Sequence, residues 1–270
     1  MKIQFNIRDL RYTDNGRELN KQLSDWLAAV PFESSSSKPV KAIISPHAGY
    51  SYCGNTAAYA YKQIAPEGIS TVIVLGPSHV VCLNGCALSN FSCYRTPIGD
   101  LPLDKKVNAE LRETGLFDTI DVRSEESEHS IEMQLPFIAK IMEKKLGSFG
   151  IVPVLVGSVP SCKQVIYGKI FAKYLADPST FIVISSDFCH WGHRFHFAPY
   201  TANTDVPIYE QIAFLDRQGM DVISRLQPNA FNDYLKKTQN TICGRNPISI
   251  LLNVSLLFPY WIYLYLFLYM

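Results

Sequence analysis

The stretch Thr180-Phe181-Ile182-Val183-Ile184-Ser185 is apolar almost throughout and turns polar at its end, where Ser186 and Asp187 follow. A continuous apolar run of this length, rich in β-branched residues, is typical of a strand that is covered on both faces of a sheet. Three further runs share this composition and also end in small or polar residues. The four predicted strands are residues 40–45, 71–75, 150–156 and 180–185.

Helical patterns separate these predicted strands. In the segment 16–30, for example, Leu19, Leu23 and Leu27 recur at helical spacing. Strands that alternate with helices predict an α/β protein, a three-layer α/β/α fold around a central sheet that is largely parallel or mixed. We expect a single domain over residues 1–252 and an atypical apolar tail over residues 253–270. The predicted helices are 16–30, 55–64, 129–145, 163–175, 207–226 and 230–237.

The composition argues against several classes of protein. The net charge is +1, from 25 basic and 24 acidic residues, and no basic stripe is present, so no nucleic-acid partner is expected. The first residues lack the apolar core of a secretory signal, and the seven cysteines are odd in number and irregularly spaced. These features predict a reduced compartment, the cytoplasm, with the nucleus as a second location.

The tail differs from the rest of the chain. After Arg245 no charged residue follows, and the run is longer than the roughly 18 apolar residues that suggest a membrane-spanning helix. Asn253 and Pro259 interrupt that run. A membrane partner is therefore expected only if the tail inserts. A hydrophobic plug and an unselected extension are the alternatives.

Ligand-type side chains follow three of the predicted strands. His47 comes shortly after the first, His79 after the second, and Asp187 and His190 after the fourth. In open α/β sheets, ligands bind in the crevice beyond the carboxyl ends of the strands. Histidine, carboxylate and thiolate are ligands of iron, copper and zinc, so we expect a transition-metal site here. Spacing alone does not bring Cys243 to that site, and a buried thiol is the equal alternative.

Four other assignments concern residues around the predicted site. His129 is the first residue of a predicted helix. It is either a capping or surface residue there, or a residue that hydrogen-bonds to a metal ligand or transfers a proton at the site. Asp187 is either a metal ligand or, as we favour, the residue that orients His190. Tyr50 and Trp191 are expected to line the pocket, with ordinary packing as the alternative.

Five motifs carry these residues. They are Ile44-Ser45-Pro46-His47-Ala48-Gly49-Tyr50, Leu75-Gly76-Pro77-Ser78-His79, Glu128-His129-Ser130-Ile131-Glu132-Met133, Ser185-Ser186-Asp187-Phe188-Cys189-His190-Trp191-Gly192 and Asn240-Thr241-Ile242-Cys243-Gly244-Arg245. In this order, over roughly residues 12–252, the chain resembles the Memo family, mediators of cell motility driven by receptor tyrosine kinases. The resemblance implies the fold of class III extradiol dioxygenases, non-haem iron enzymes that open catechol rings. It also implies that His47, His79 and Cys243 hold iron or copper, with Asp187 and His190 beside them.

The resemblance implies an adaptor function for this chain. Such an adaptor binds phosphotyrosine peptides of an activated receptor tyrosine kinase and links iron or copper to redox control and cell motility. The alternative is an active non-haem iron dioxygenase or redox enzyme of the extradiol type. Activated oxygen readily oxidises a thiolate, so Cys243 as a ligand disfavours ring cleavage. Whether the chain is an enzyme stays open at this point.

Both ends depart from the family's pattern. Residues 1–11 stand where the family has a histidine-containing stretch that ends in Gly-Ser-Trp-Tyr. Residues 253–270 stand where the family has a polar segment and a further strand. We therefore expect one strand of the sheet to be missing, so that its neighbour loses a hydrogen-bonded partner.

Overall fold

The computed structural model describes residues 2–4, 11–31, 40–199, 205–255 and 264–266. Within these residues the chain forms ten strands, most of them short. They are β1 (Lys2–Gln4), β2 (Ala42–Ser45), β3 (Thr71–Pro77), β4 (Cys86–Leu88), β5 (Cys93–Thr96), β6 (Gly99–Pro102), β7 (Phe117–Thr119), β8 (Gly150–Val156), β9 (Thr180–Ser185) and β10 (Leu264–Leu266).

Seven of these described strands make the central sheet, in the spatial order β10-β2-β9-β3-β8-β4-β7. The first five run parallel to one another, whereas β4 pairs antiparallel with β8 and parallel with β7. Every position of β2, β3 and β9 is buried, as expected of strands covered on both faces. The four predicted strands are confirmed, and the sheet is mixed.

Helices cover the two faces of this sheet. Leu19 and Phe137 belong to a core cluster on one face, and Phe171 and Phe231 to a second cluster on the other. The predicted three-layer α/β/α architecture is therefore confirmed. The helices are α1 (Gly16–Ala29), α2 (Tyr50–Tyr61), α3 (Lys105–Glu113), α4 (Val122–Ser127), α5 (Leu135–Ile141), α6 (Ser161–Ala176), α7 (Ile208–Ser224), α8 (Pro228–Thr238) and α9 (Arg245–Ser255).

Two helix predictions need correction. Helix α2 begins at Tyr50 rather than Asn55, since the carbonyl of Gly49 already accepts hydrogen bonds from the first turn. The predicted helix over 129–145 is instead a short 3₁₀ turn, the helix α5 and a second 3₁₀ turn. The side chains of Ser130 and Gln134 donate to the carbonyls of Pro77 and Pro46, so long-range hydrogen bonds fix the start of this segment.

A second, smaller sheet was not predicted. Its strands follow the order β1-β5-β6, with β1 parallel to β5 and β5 antiparallel to β6. Helices α3, α4 and α9 and strands β4 and β7 were not predicted either. The added strands have three or four residues each, which is too short for a hydrophobic period to be read from sequence.

The expectation of a missing strand at the carboxyl end is wrong within the described residues. Strand β10 pairs parallel with β2, in a register that places Leu264 opposite Ala42. Helix α9 crosses the expected domain boundary at Leu252 and ends at Ser255, with Val254 in the core. No helix among the described residues is both long and apolar enough to cross a membrane. Insertion of the tail stays a prediction, since residues 256–263 and 267–270 lie outside the described ranges.

Candidate metal centre

The order of strands brings the predicted site residues together. Strand β9 lies between β2 and β3, and all three run parallel. Their carboxyl ends therefore meet at one edge of the sheet, where His47, Asp187 and His79 follow them. The sequence predicted this juxtaposition. Each of the three residues closely follows its own strand, so the order of the strands alone brings them to the same edge.

Cys243 completes a group of three possible ligands. One donor atom from each of His47, His79 and Cys243 lies within 4.8 Å of the other two. The Sγ atom of Cys243 is 3.3 Å from Nε2 of His47. His47 is buried, Cys243 is partly buried and His79 is exposed. The placement of Cys243, which spacing alone left undecided, is next to the two histidines.

Hydrogen bonds fix both the backbone and the ring of His47, and the ring is uncharged at neutral pH. Its backbone N–H donates to Oδ1 of Asp187 (2.8 Å), whose Oδ2 lies 3.7 Å from Nε2. On the other side of the ring, Nδ1 is 2.8 Å from Oγ of Ser185. Burial lowers the pKa of His47 to about 4, against the opposing charge of Asp187. A neutral imidazole is the form that binds metals.

The carboxylate of Glu128 fixes the position of His79. The backbone N–H of His79 donates to one oxygen of Glu128 (2.6 Å), and its ring Nδ1 is 3.0 Å from the other. Burial opposes ionisation of Glu128, but hydrogen bonds from His79 and from the Ser130 N–H outweigh it and lower its pKa to about 2. An ionised carboxylate only accepts hydrogen bonds, so Nδ1 of His79 is the donor to Glu128.

Cys243 is a protonated thiol in the absence of metal. Burial, and then the charge of Asp187, raise its pKa to about 12. The backbone N–H of Asp187 donates to Sγ at 3.2 Å, which holds the sulfur in place. Any metal that binds here has to displace the thiol proton.

His129 lies in the same cluster but does not open a helix. Its ring stacks on that of His79 at 4.7 Å between centroids and meets His47 edge-on at 5.4 Å. Burial, and then the neighbouring His79, lower its pKa. His79, Glu128 and His129 form a second group with donor atoms within 4.8 Å. Because Glu128 already accepts four hydrogen bonds from His79, His129 and Ser130, its oxygens are poorly placed to serve a metal.

His190 lies outside this group of three donors. Its Nδ1 is 2.9 Å from the carbonyl of Thr241, and its ring packs against Phe195 at 5.0 Å. The donor groups within 4.8 Å do not include it. The side chain of Asp187 contacts His47. The His190 ring bonds to the carbonyl of Thr241, and so the geometry does not support the expected orientation of His190 by Asp187.

The two predicted aromatic residues differ in position. Tyr50 is 3% exposed and donates from its hydroxyl to the carbonyl of Met133. It adjoins a cleft of about 460 Å³ that also borders Arg11 and Tyr12. Trp191 is partly exposed on the rim and packs edge-on against Phe197 at 6.2 Å.

Sequence reasoning missed the residues that support the ligands. Glu128, Ser185 and Gln134 contact the two histidines or one another, and all three are buried. Glu128 and Ser185 do stand inside two of the motifs quoted above. Their presence in the motif was visible, but their roles depend on which atoms the fold brings within hydrogen-bonding distance.

Comparison with known proteins decides the family. A family model described as Memo-like protein matches residues 9–258. The chain belongs to the Memo family. Protein memo-1 homolog of Caenorhabditis elegans is 59% identical over 244 residues, which are 90% of this chain and 68% of that relative. Protein MEMO1 of Mus musculus and that of Homo sapiens are each 51% identical over 242 residues, 90% of this chain and 80% of each relative. The Memo-family match includes every residue of the centre.

Proposed function

We propose that this Memo-family chain binds one iron or copper ion through His47, His79 and Cys243. The observation that carries the proposal is the group of three donor atoms within 4.8 Å of one another, two of them at the carboxyl ends of the parallel strands β2 and β3. Two imidazoles and a thiol fit iron or copper better than calcium or magnesium, which prefer oxygen ligands. Asp187, beside His47, is a fourth residue that can approach the ion or balance its charge.

The chain's own residues prepare this group for an ion. His47 is neutral and fixed by Asp187, and His79 is fixed by Glu128. His79 is exposed, which makes the group accessible to an ion from solvent. Bound iron or copper would supply one-electron redox chemistry, which is the basis of the proposed link to cellular redox control.

We propose further that the chain is an adaptor for phosphotyrosine peptides of an activated receptor tyrosine kinase, which connects it to cell motility. Support comes from family membership and from the exposed rim of the centre. Arg194 and Phe195 are exposed there, with Trp191 beside them. A phosphotyrosine needs positive charge and an aromatic surface, and this rim offers both. A phosphotyrosine peptide is expected to bind more tightly than its unphosphorylated form, measured by fluorescence anisotropy.

An extradiol-type oxygenase is the second candidate. One observation favours it: His79, Glu128 and His129 have the two-histidine, one-carboxylate composition of non-haem iron oxygenases. The hydrogen bonds already made by Glu128, and the thiol of Cys243 close by, argue against it. Oxygen uptake by iron-loaded protein with catechols separates the two candidates, and appreciable turnover would favour the enzyme.

Removal of single ligands tests the metal proposal. His47→Ala and His79→Ala are each expected to abolish stoichiometric iron or copper binding while the circular dichroism spectrum is retained. His193→Ala is the matched control, since His193 is an exposed histidine outside the ligand groups. Metal content is measured by mass spectrometry on protein purified without added metal and after loading. Full metal content in both ligand variants would show that the site lies elsewhere.

A further inference from the structure

A buried network of hydrogen bonds contacts Nδ1 of His47, whereas Nε2 of the same ring faces Cys243. The other members of this network are not among the candidate metal ligands. Ser185 and Gln134 are both fully buried, and so is Ser130. Oγ of Ser185 has three polar neighbours: Nδ1 of His47 at 2.8 Å, Nε2 of Gln134 at 2.9 Å and the carbonyl of Ser130 at 2.6 Å. Counting donors and acceptors decides which atom carries each proton.

The orientation of the Gln134 amide follows from its contact with a backbone carbonyl, because a carbonyl can only accept a hydrogen bond. Nε2 of Gln134 lies 2.9 Å from the carbonyl of Pro46, so the NH₂ end of the amide faces that carbonyl. Its second hydrogen points to Oγ of Ser185. The other end of the amide, Oε1, accepts from the Tyr61 hydroxyl at 2.9 Å. The amide is therefore held in one orientation from both ends.

The hydroxyl of Ser185 has one hydrogen and two lone pairs. The hydrogen goes to the carbonyl of Ser130, which is again only an acceptor. One lone pair accepts from Gln134. The remaining lone pair faces Nδ1 of His47, so Nδ1 has to be the donor. The neutral ring then has no proton on Nε2, the atom that faces Sγ of Cys243 at 3.3 Å.

We propose that Ser185 and Gln134 are positioning residues that lock His47 in the tautomer whose Nε2 lone pair points at the metal centre. The lock exists without metal, and its use rests on the proposed metal-binding function. The Nε2 lone pair of His47 is thus available before an ion arrives, which lowers the reorganisation needed on binding.

Nuclear magnetic resonance of metal-free protein tests the lock directly. Long-range ¹H–¹⁵N correlation spectra distinguish a protonated ring nitrogen from an unprotonated one in histidine-labelled protein at pH 7. In the wild type, His47 is expected to show a protonated Nδ1 and an unprotonated Nε2. A proton on Nε2 of His47 in the wild type would overturn the proposal, and this result does not depend on any variant folding.

Ser185→Ala removes the acceptor for Nδ1. The His47 signals are expected to shift toward a mixture of tautomers, and affinity for Fe²⁺ or Cu⁺ to fall by about 10–100-fold. Ser185→Thr, which keeps the hydroxyl, is expected to restore the single tautomer. Ser249→Ala is the matched control for loss of a buried serine hydroxyl, because Ser249 is 2% exposed and lies in α9.

The outcomes separate the lock from the metal proposal. A Ser185→Ala variant in which Nδ1 of His47 stays fully protonated would show that Ser185 does not set the tautomer. A wild-type protein with the expected tautomer that takes up neither iron nor copper would contradict the proposed function and leave the lock intact. Both measurements use the same full-length protein.

Discussion

At the scale of single residues, burial keeps His47 and Cys243 uncharged by opposite shifts. It lowers the pKa of the imidazole to about 4 and raises that of the thiol to about 12. At pH 7 the imidazole is thus ready to bind a metal, whereas the thiol still holds a proton. Under the proposed function, metal binding has to displace this thiol proton, and so affinity should increase with pH through the neutral range.

Proton release on metal binding measures this displacement. We expect about one proton to leave per ion bound at pH 7, from Sγ of Cys243. Titration calorimetry in two buffers with different heats of ionisation gives the number. Cys243→Ser is expected to bind the ion more weakly and to release no proton. Release that is unchanged in this variant would identify a different group as the source.

Glu132 gives the stability of the protein a pH dependence of its own. Burial raises its pKa to about 7, although Arg11 and Tyr12 contact it and oppose the shift. The folded protein thus holds this proton more tightly than the unfolded chain, in which the carboxyl has the ordinary glutamate pKa of 4.5. The contribution of this group is complete below that value and is lost as pH rises through 7, by at most about 3 kcal/mol.

Substitution of this carboxyl should flatten the pH profile. In Glu132→Gln the loss of unfolding free energy between pH 5 and pH 8 is expected to be smaller than in the wild type. Urea unfolding of metal-free protein at the two pH values gives the difference. Glu143→Gln serves as control, because the side chain of Glu143 is 50% exposed and should leave the slope unchanged. Equal slopes in Glu132→Gln and wild type would refute the assignment.

The site was partly predictable from sequence at this scale. His47, His79 and Asp187 follow apolar strands, and a parallel sheet necessarily brings such positions to one edge. Cys243 needed the family resemblance, because no local pattern links a residue before α9 to that edge. Ser185 and Gln134 were out of reach, since their roles depend on hydrogen-bond distances between atoms far apart in the chain.

At the scale of elements, the contact between α6 and α9 leaves no room for a side chain at Gly168. A Cβ atom there would lie 2.7 Å from Cβ of Asn253 and 3.1 Å from its carbonyl carbon. Helix α9 would have to move outward to admit it. Because α9 begins shortly after Cys243, this contact also supports the metal centre.

Gly168→Ala is therefore expected to destabilise the protein. Overpacking costs about 1–3 kcal/mol, and the better helix propensity of alanine returns up to about 1 kcal/mol, so we expect a net loss of about 1–2 kcal/mol. Gly68→Ala is the control, since nothing lies within 4 Å of a Cβ atom there. Urea unfolding curves give both values. A Gly168→Ala variant as stable as the control would show that the helices part easily.

The errors at this scale have a common physical cause. Long apolar runs predicted β3, β8 and β9 because burial on both faces leaves a strong signal in the sequence. The segment 129–145 has helical periodicity, but it is divided into the helix α5 and two 3₁₀ turns. Ser130 and Gln134 donate to the distant carbonyls of Pro77 and Pro46, and such long-range hydrogen bonds cannot be seen in a hydrophobic pattern.

At the scale of the whole molecule, the core extends past the domain boundary at Leu252 that the family resemblance implied. Val254 is 1% exposed, and Asn253 donates from its side chain to the carbonyl of Ser249. A chain that ends at Leu252 is expected to unfold at a lower urea concentration than one that ends at Ser255. Full burial of a valine is worth roughly 1.5–3 kcal/mol, so the loss should be about 2 kcal/mol. Equal midpoints would place the end of the folded unit at Leu252.

The separation of the ligands along the chain has a consequence for biosynthesis. His47 and Cys243 are 196 positions apart, although their side chains touch. A ribosome completes β2 and β3 well before it adds Cys243, since domains are built from the amino end. A nascent chain, or a fragment cut before residue 243, therefore lacks the full set of ligands. Under the proposed function, an ion would be bound by all three residues only after translation has passed residue 243 and the sheet has formed.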